Sequence, residues 1–205
     1  MQPVSPSSPL TEAEEELTRR NIIACINYMI RVSDIEKRKE GISAMPMPSH
    51  LTMTGEKQGK IDGSCDMQGR ENTILVYSMT HDIHIPRDPQ SGLGSGKRIH
   101  GPLTIVKEYD KSSPKLYQAL CTGEHLKDVT IKWYRINKQG SEEHYFTHKL
   151  EDAIVVSVKP FMPMVFLEEN EAFRHMEEVS FTYKKIKWAW EVDGIESEDS
   201  WAVPR

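Results

Sequence analysis

Residues 103–126 read LTIVKEYDKSSPKLYQALCTGEHL. A short apolar strand runs into a charged turn and then into one compact helix whose ends are both marked. The spacing predicts Ser113 as N-cap, its hydroxyl accepting from a first-turn N–H, with Pro114 at N1, where a missing N–H costs nothing. Gly123 ends the helix, since a residue without Cβ enters the left-handed turn that satisfies the last carbonyls. Leu116, Leu120 and Cys121 supply an apolar stripe at helical spacing. A helix this short belongs against something larger, and the chain on either side reads as β.

Working outward, residues 73–85 alternate, with Leu75, Tyr77, Met79, Ile83 and Ile85 on one face and Ser78, Thr80, Asp82 and His84 on the other, the pattern of a half-buried antiparallel strand. Val129, Ile131 and Trp133 repeat the alternation. Asn137 to Gly140 then form a polar turn into residues 142–149, the second arm of a hairpin. Residues 153–158 form a nearly continuous apolar run, ended by Pro160 and Pro163. Val179, Phe181 and Tyr183 occupy odd positions, whereas Ile186, Trp188 and Trp190 occupy even ones. A β-bulge near Lys184 and Lys185 reconciles the two sets; alternatively each face is buried in turn, first by the core and then by a neighbouring subunit. Six or seven such strands predict a mainly β protein, an antiparallel barrel or sandwich with one flanking α-helix.

The 205 residues are 28% charged and 38% hydrophobic, enough for one good core. A net charge of -5 with scattered basic residues provides no field for gripping phosphate backbones, which excludes nucleic acid as a partner class. Cys25, Cys65 and Cys121 are widely separated and lack CxxC spacing, so they read as free, buried thilos of a chain made in a reducing compartment. The first arginine is Arg19 and the start is rich in proline and serine, so a cleavable Sec-type leader is not expected. The apolar stretch from Ile22 to Val32 is interrupted by Asn27 and Arg31 and falls short of the roughly 20 residues of a membrane span.

The amino-terminal part has its own pattern. Residues 1–9 form a Pro/Ser tail that cannot support a core. Thr11 with Glu14 makes a capping box, acidic residues follow in the first turn, and Lys37 and Lys39 precede Gly41 at the other end, so an amphipathic helix is expected here. Its face of Leu17, Ile22, Ile23, Ile26, Met29, Ile30 and Val32 favours docking or self-association over a solvated helix.

Motifs for chemistry fail their tests. The glycines at 92, 94 and 96 precede Lys97, but the residue five before Gly96 is Ser91 and Lys97 is followed by Arg98, so no Walker loop is present. The better reading is a long loop, residues 86–102, too rich in glycine to hold one shape alone and reaching for a contact. His81 and His84 point to opposite faces of a strand, and His144 and His148 lie about 13 Å apart along one, so no metal is expected. The adjacent carboxylates Glu142–Glu143, Glu151–Asp152 and Glu177–Glu178 read as solvated edges, and the acidic run 193–199 as a solvated tail. No GxSxG is present. Neither catalytic residues nor a cofactor are expected.

Several of these stretches, EYDKSSPKL at 108–116, CTGEH at 121–125, GLGSGK at 92–97, TIKWY at 130–134 and VSFTY at 179–183, occur in an order that resembles the haemolysin-coregulated protein (Hcp) family of bacterial type VI secretion. The resemblance covers residues 47–201, which divides the chain into an extension (1–46), an Hcp-like β-domain (47–201) and a short tail (202–205). It implies a non-enzymatic subunit whose hexameric rings stack into the inner tube of a contractile injection machine. Spike, sheath and baseplate proteins would be partners, and effectors would travel in the lumen. The protein would wait in the bacterial cytoplasm and leave without a cleavable signal. On this reading the loop residues Arg87, Gly92, Gly94, Gly96, Lys97 and Arg98 make axial contacts, while Val179, Phe181, Tyr183, Trp188 and Trp190 serve a lateral interface. The rival is a monomeric ligand- or carbohydrate-binding β-barrel with Trp133, Trp188 and Trp190 as stacking platforms. An extension of about 45 residues is too short for most catalytic folds.

Overall fold

A computed structural model describes residues 47–170 and 174–201. The expected amino-terminal helix and the carboxy-terminal tail lie outside the described residues. Within them, alternation of apolar and polar residues produces strands throughout: β1 (Ser49–Gly55), β2 (Gly59–Ile61), β3 (Ile74–Val76), β4 (Ser78–Thr80), β5 (Ile83–His84), β6 (Ile99–His100), β7 (Leu103–Glu108), β8 (His125–Ile136), β9 (Glu142–Phe161), β10 (Met176–Trp190) and β11 (Ile195–Ser200). One α-helix, α1 (Ser113–Thr122), follows β7. The main sheet runs β2-β1-β8-β9-β10-β7-β4, with β3 beside β1 and β11 beside β10, and every pairing is antiparallel. It curves around a single core in which Leu51, Ile74, Leu103, Ile105, Leu126, Ile131, Leu150 and Phe181 are fully buried. The helix closes this core with Leu116 and Ala119.

The mainly antiparallel β architecture with one flanking helix is the one read from the sequence, but several elements differ. Residues 73–85 break into β3, β4 and β5, and Ile74 and Val76 are the buried residues there, while Tyr77 is exposed. The reason is a change of partner: β3 pairs with β1 and β4 with β7, so no single face governs the stretch. Residues 142–161 form one strand, not a hairpin arm followed by a separate run. Pro160 is tolerated because β8 pairs with β9 only as far as Ile154, which leaves the end of β9 with one neighbour.

The parity change in β10 is real, and it spans three strands. Buried positions pass from Tyr183 to Ile186 in β10, from Leu150 to Ala153 in β9 and from Leu126 to Val129 in β8. Asp152, with φ 53°, sits at the centre of this row. The pairing offset is the same on both sides of it. The actual one-residue register shift lies at Ser180/Phe181, where Val156 of β9 is the additional residue, rather than at Lys184 and Lys185.

The helix start is also corrected. Ser112 is the N-cap and makes no side-chain capping bond, so Pro114 is not the first helical residue. The Ser113 hydroxyl is buried and engaged elsewhere: it accepts from the Asp110 N–H at 3.0 Å and donates to Glu177 at 2.7 Å. At the far end Gly123 has φ 62° and the Glu124 N–H reaches the Ala119 carbonyl at 2.9 Å, the left-handed ending expected. Cys121 is exposed and only Cys65, of the two described thiols, is buried. Ala119 takes the inward position that the stripe assigned to Cys121.

Candidate assembly surfaces

Residues 81–102 form an arm with internal order. β5 and β6 pair at its base, Arg87 and Gly94 bridge further out, and backbone bonds run from the Asp88 N–H to the Leu93 carbonyl, the Gly92 N–H to the Asp88 carbonyl and the Ser95 N–H to the Pro86 carbonyl, at 2.8, 2.8 and 2.7 Å. The expectation that this loop cannot hold a shape alone is therefore corrected: its glycines allow the turns, with φ 70° at Gly92 and 112° at Gly96, and the turns pair its backbone. Arg87, Gly92 and Lys97 are exposed along it.

The base of the arm is locked to β10 and β11. The Arg98 guanidinium donates to both carboxylate oxygens of Asp199 and to the Ser200 carbonyl, so Arg98 anchors the arm rather than leading it. Asp199 also receives the His100 Nε2–H at 2.9 Å, and Tyr183 Oη lies 2.7 Å from both His100 Nδ1 and His81 Nε2. One polarity satisfies every group: His81 donates to Tyr183, Tyr183 to His100, and His100 to Asp199. Bonds from Arg98 hold the Asp199 carboxyl below the usual carboxylate range, and burial lowers the His81 imidazole and raises the Tyr183 phenol. The acidic run is thus an ordered strand, β11, with Asp199 at its working end, not a solvated tail.

Of the residues expected at a lateral interface, Val179, Phe181 and Tyr183 belong to the core of the single chain, which uses the inward face of β10 for packing. Trp188 and Trp190 are half-buried. Trp188 lines a groove of about 680 Å³ between the arm and β11, together with Ile83, Ile85, Arg87 and Gly94. A second hollow of about 320 Å³ continues past Trp188 to Lys187 and Glu191. Trp133 donates to His148 Nδ1 at 2.9 Å and Trp190 to Asp193 at 2.8 Å, and of the three tryptophans only Trp188 lines these two hollows.

Two features escaped the sequence reading. Glu177 is no solvated edge: with zero exposure it meets Lys107 Nζ at 2.6 Å, and Lys107, equally buried, also contacts Asp110 at 2.9 Å and Ser113 at 3.2 Å. The lysine in LTIVK follows the inward period of β7, which was the available signal. The other feature is residues 161–167, FMPMVFL, where six large apolar side chains are exposed and Phe166 reaches 90%. No sequence signal marked it, because an apolar run reads as core until the fold leaves it exposed.

Comparison with known proteins follows this geometry. The sequence profile of the family described as "Type VI secretion system effector, Hcp" matches residues 50–190. The "Major exported protein" of Pseudomonas aeruginosa is 43% identical over 169 residues, covering 78% of this chain and 98% of that protein. Among solved structures, an Hcp1 protein of E. coli EAEC 042 in mutant form is 39% identical with TM-score 0.67, covering 76% of this chain and 99% of that one. The secreted protein Hcp3 of Pseudomonas aeruginosa is 38% identical with TM-score 0.62, covering 76% and 99%. With its β-unit matched nearly end to end by these relatives, the chain belongs to the Hcp family of type VI secretion.

Proposed function

We propose that this protein is the structural subunit of a type VI secretion tube, closing into hexameric rings that stack and are driven out of the cell. The observation that carries the reading is the family match over residues 50–190, the main sheet from β1 through β10. The geometry supports it. A subunit that builds a tube needs one heterologous contact that closes sideways and one that repeats axially without closing. The arm projects at one end of β7, and the exposed segment 161–167 leaves the sheet at the other, since Phe161 pairs with Met176 and Met176 with Glu108. Trp188 and Trp190, on the outer part of β10, remain candidates for a lateral contact, and Arg87, Gly92, Gly94, Gly96 and Lys97, held by Arg98, for an axial one. The work is mechanical: sheath, baseplate and spike proteins are the partners, small effectors shelter in the lumen, and the subunit is made in the cytoplasm and exported from it. No catalytic step is assigned to it. Negative-stain images of the purified full chain test this directly. Six-membered rings with a central hole support it; isolated particles of one chain at high concentration refute it.

A further inference from the structure

His81, Tyr183, His100 and Asp199 stand in one row of hydrogen bonds: His81 Nε2 to Tyr183 Oη and Tyr183 Oη to His100 Nδ1 at 2.7 Å each, and His100 Nε2 to Asp199 at 2.9 Å. The row ties both ends of the arm to the sheet, since Tyr183 belongs to β10 and Asp199 to β11. Its middle is closed to water, with Tyr183 6% exposed and the His100 side chain 4%. Around it stand Arg98, which keeps the Asp199 carboxyl below the usual carboxylate range, Asp82, which lies beside His81 and also takes the His84 imidazole, and His148 of β9, near enough to His81 for the two rings to oppose each other's charge.

The number of hydrogens decides what the row tolerates. Tyr183 Oη has one proton to give and lone pairs to receive, and burial raises the phenol, so it keeps that proton. With both imidazoles neutral, His81 donates to Tyr183, Tyr183 to His100 and His100 to Asp199. One added proton is absorbed by turning part of the row round: His100 as imidazolium donates to both Tyr183 and Asp199, and Tyr183 donates to His81. A second added proton has no such arrangement. Both imidazoliums then aim an N–H at the one phenol oxygen, whose own proton is left without an acceptor. Two cations also stand with ring centroids 6.2 Å apart across a buried phenol, where water screens them poorly.

We infer that this row is an acid-released latch: it stays closed with none or one added proton, and the second frees His81 from Tyr183 while Arg98 still grips Asp199. His81 is the group that leaves because it is half-buried and has water to turn to, whereas His100 keeps its carboxylate. Once free, its imidazole titrates near 6.5, and burial, with His100 next, lowers it in the closed row. The open form therefore binds more protons, so the latch is firm above pH 6.5 and the open fraction rises by up to about tenfold per pH unit below it. The latch belongs to the single chain and goes beyond the tube reading. An exported subunit would keep the start of its arm, residues 81–85, firm in neutral surroundings and loose in acidic ones.

The test uses the full chain in dilute solution with Cys25 and Cys121 replaced by serine and a nitroxide attached through Ile85→Cys, which is exposed on the arm. Its spin-resonance spectrum is followed from pH 7.5 to pH 5, and the same label at Thr182→Cys, exposed on β10, reports on the sheet. The expected result is a mobile component at position 85 that grows as pH falls, with position 182 unchanged. His81→Gln, which still donates to Tyr183 but takes no proton, should make the signal at 85 flat with pH. Tyr183→Phe, which removes the centre of the row, should make it mobile already at pH 7.5. A label at 85 that stays still throughout overturns the inference, as does a growth that His81→Gln leaves unchanged or one that position 182 shares, since the sheet itself is then melting. Rings or single chains in the sample decide the tube reading separately.

Discussion

Lys107 Nζ and Glu177 Oε1 lie 2.6 Å apart with both side chains fully buried, which joins β7 to β10 beneath the start of α1. Asp110 and the Ser113 hydroxyl complete the cluster, so the helix is seated by charge as well as by Leu116. Removing Lys107 strands the Glu177 charge in the core and is expected to cost about 3–5 kcal/mol, whereas replacing both by apolar residues of similar volume is expected to cost far less. Urea denaturation of Glu177→Leu, Lys107→Met and the double variant checks this: the double variant should be more stable than Lys107→Met. Additive losses would contradict the pairing.

The buried imidazoles predict an acid-sensitive fold. Burial, with the neighbouring His81, pulls His148 down to about 4, and burial lowers His50, His81 and His144 in the same direction. An unfolded chain titrates its histidines near 6.5. Between about 6.5 and 4 the unfolded state therefore binds more protons, so stability is fully present above pH 6.5 and is lost as pH falls through that window, by about 3 kcal/mol for His148. Urea midpoints at pH 7.5 and 4.5 measure the drop. His148→Gln, which keeps an acceptor for Trp133, should show a smaller one; an equal drop would contradict the assignment.

Gly63 is fixed by close backbone approach. A Cβ there would stand 2.3 Å from the Thr73 carbonyl oxygen and 2.7 Å from Ile74 Cα, both backbone atoms that cannot swing aside. Gly63→Ala is expected to destabilise by at least the ~1–3 kcal/mol typical of overpacking, read as a lower thermal midpoint. A midpoint equal to the parent's would show that the turn relaxes freely.

The lock between Arg98 and Asp199 controls the arm. Charge-assisted hydrogen bonds of this kind contribute about 1.5–3 kcal/mol, so Asp199→Ala should raise the open population of the arm on the order of tenfold or more. Limited trypsin digestion reads this as faster cleavage after Arg87 and Lys97, with the far-UV spectrum unchanged. Cleavage at the parent's rate would mean the arm is held elsewhere.

What the sequence made legible was local. The left-handed stop at Gly123, the hairpin turn at Asn137–Gly140 and the parity break between Tyr183 and Ile186 each depend on a few neighbouring residues, and all stand in the fold. Readings failed where a distant partner decided the outcome. Ser113 is drawn from its capping role by Glu177, which is 64 positions away. Asp199 looked solvated because the groups that bind it, Arg98 and His100, precede it by about a hundred residues. Val179, Phe181 and Tyr183 have the alternation of an interface strand and of a core strand alike, and only the neighbours β7 and β9 assign them to the core. The assembly surfaces resisted for a further reason: exposure of an apolar run such as 161–167 is a property of the folded chain, not of its composition.

Sedimentation velocity of the purified full chain, over a hundredfold range of concentration at neutral pH, tests the tube reading most directly. The account predicts a dominant species of six chain masses that persists on dilution, with larger stacks growing as concentration rises. A single species of one chain mass across the whole range would contradict it.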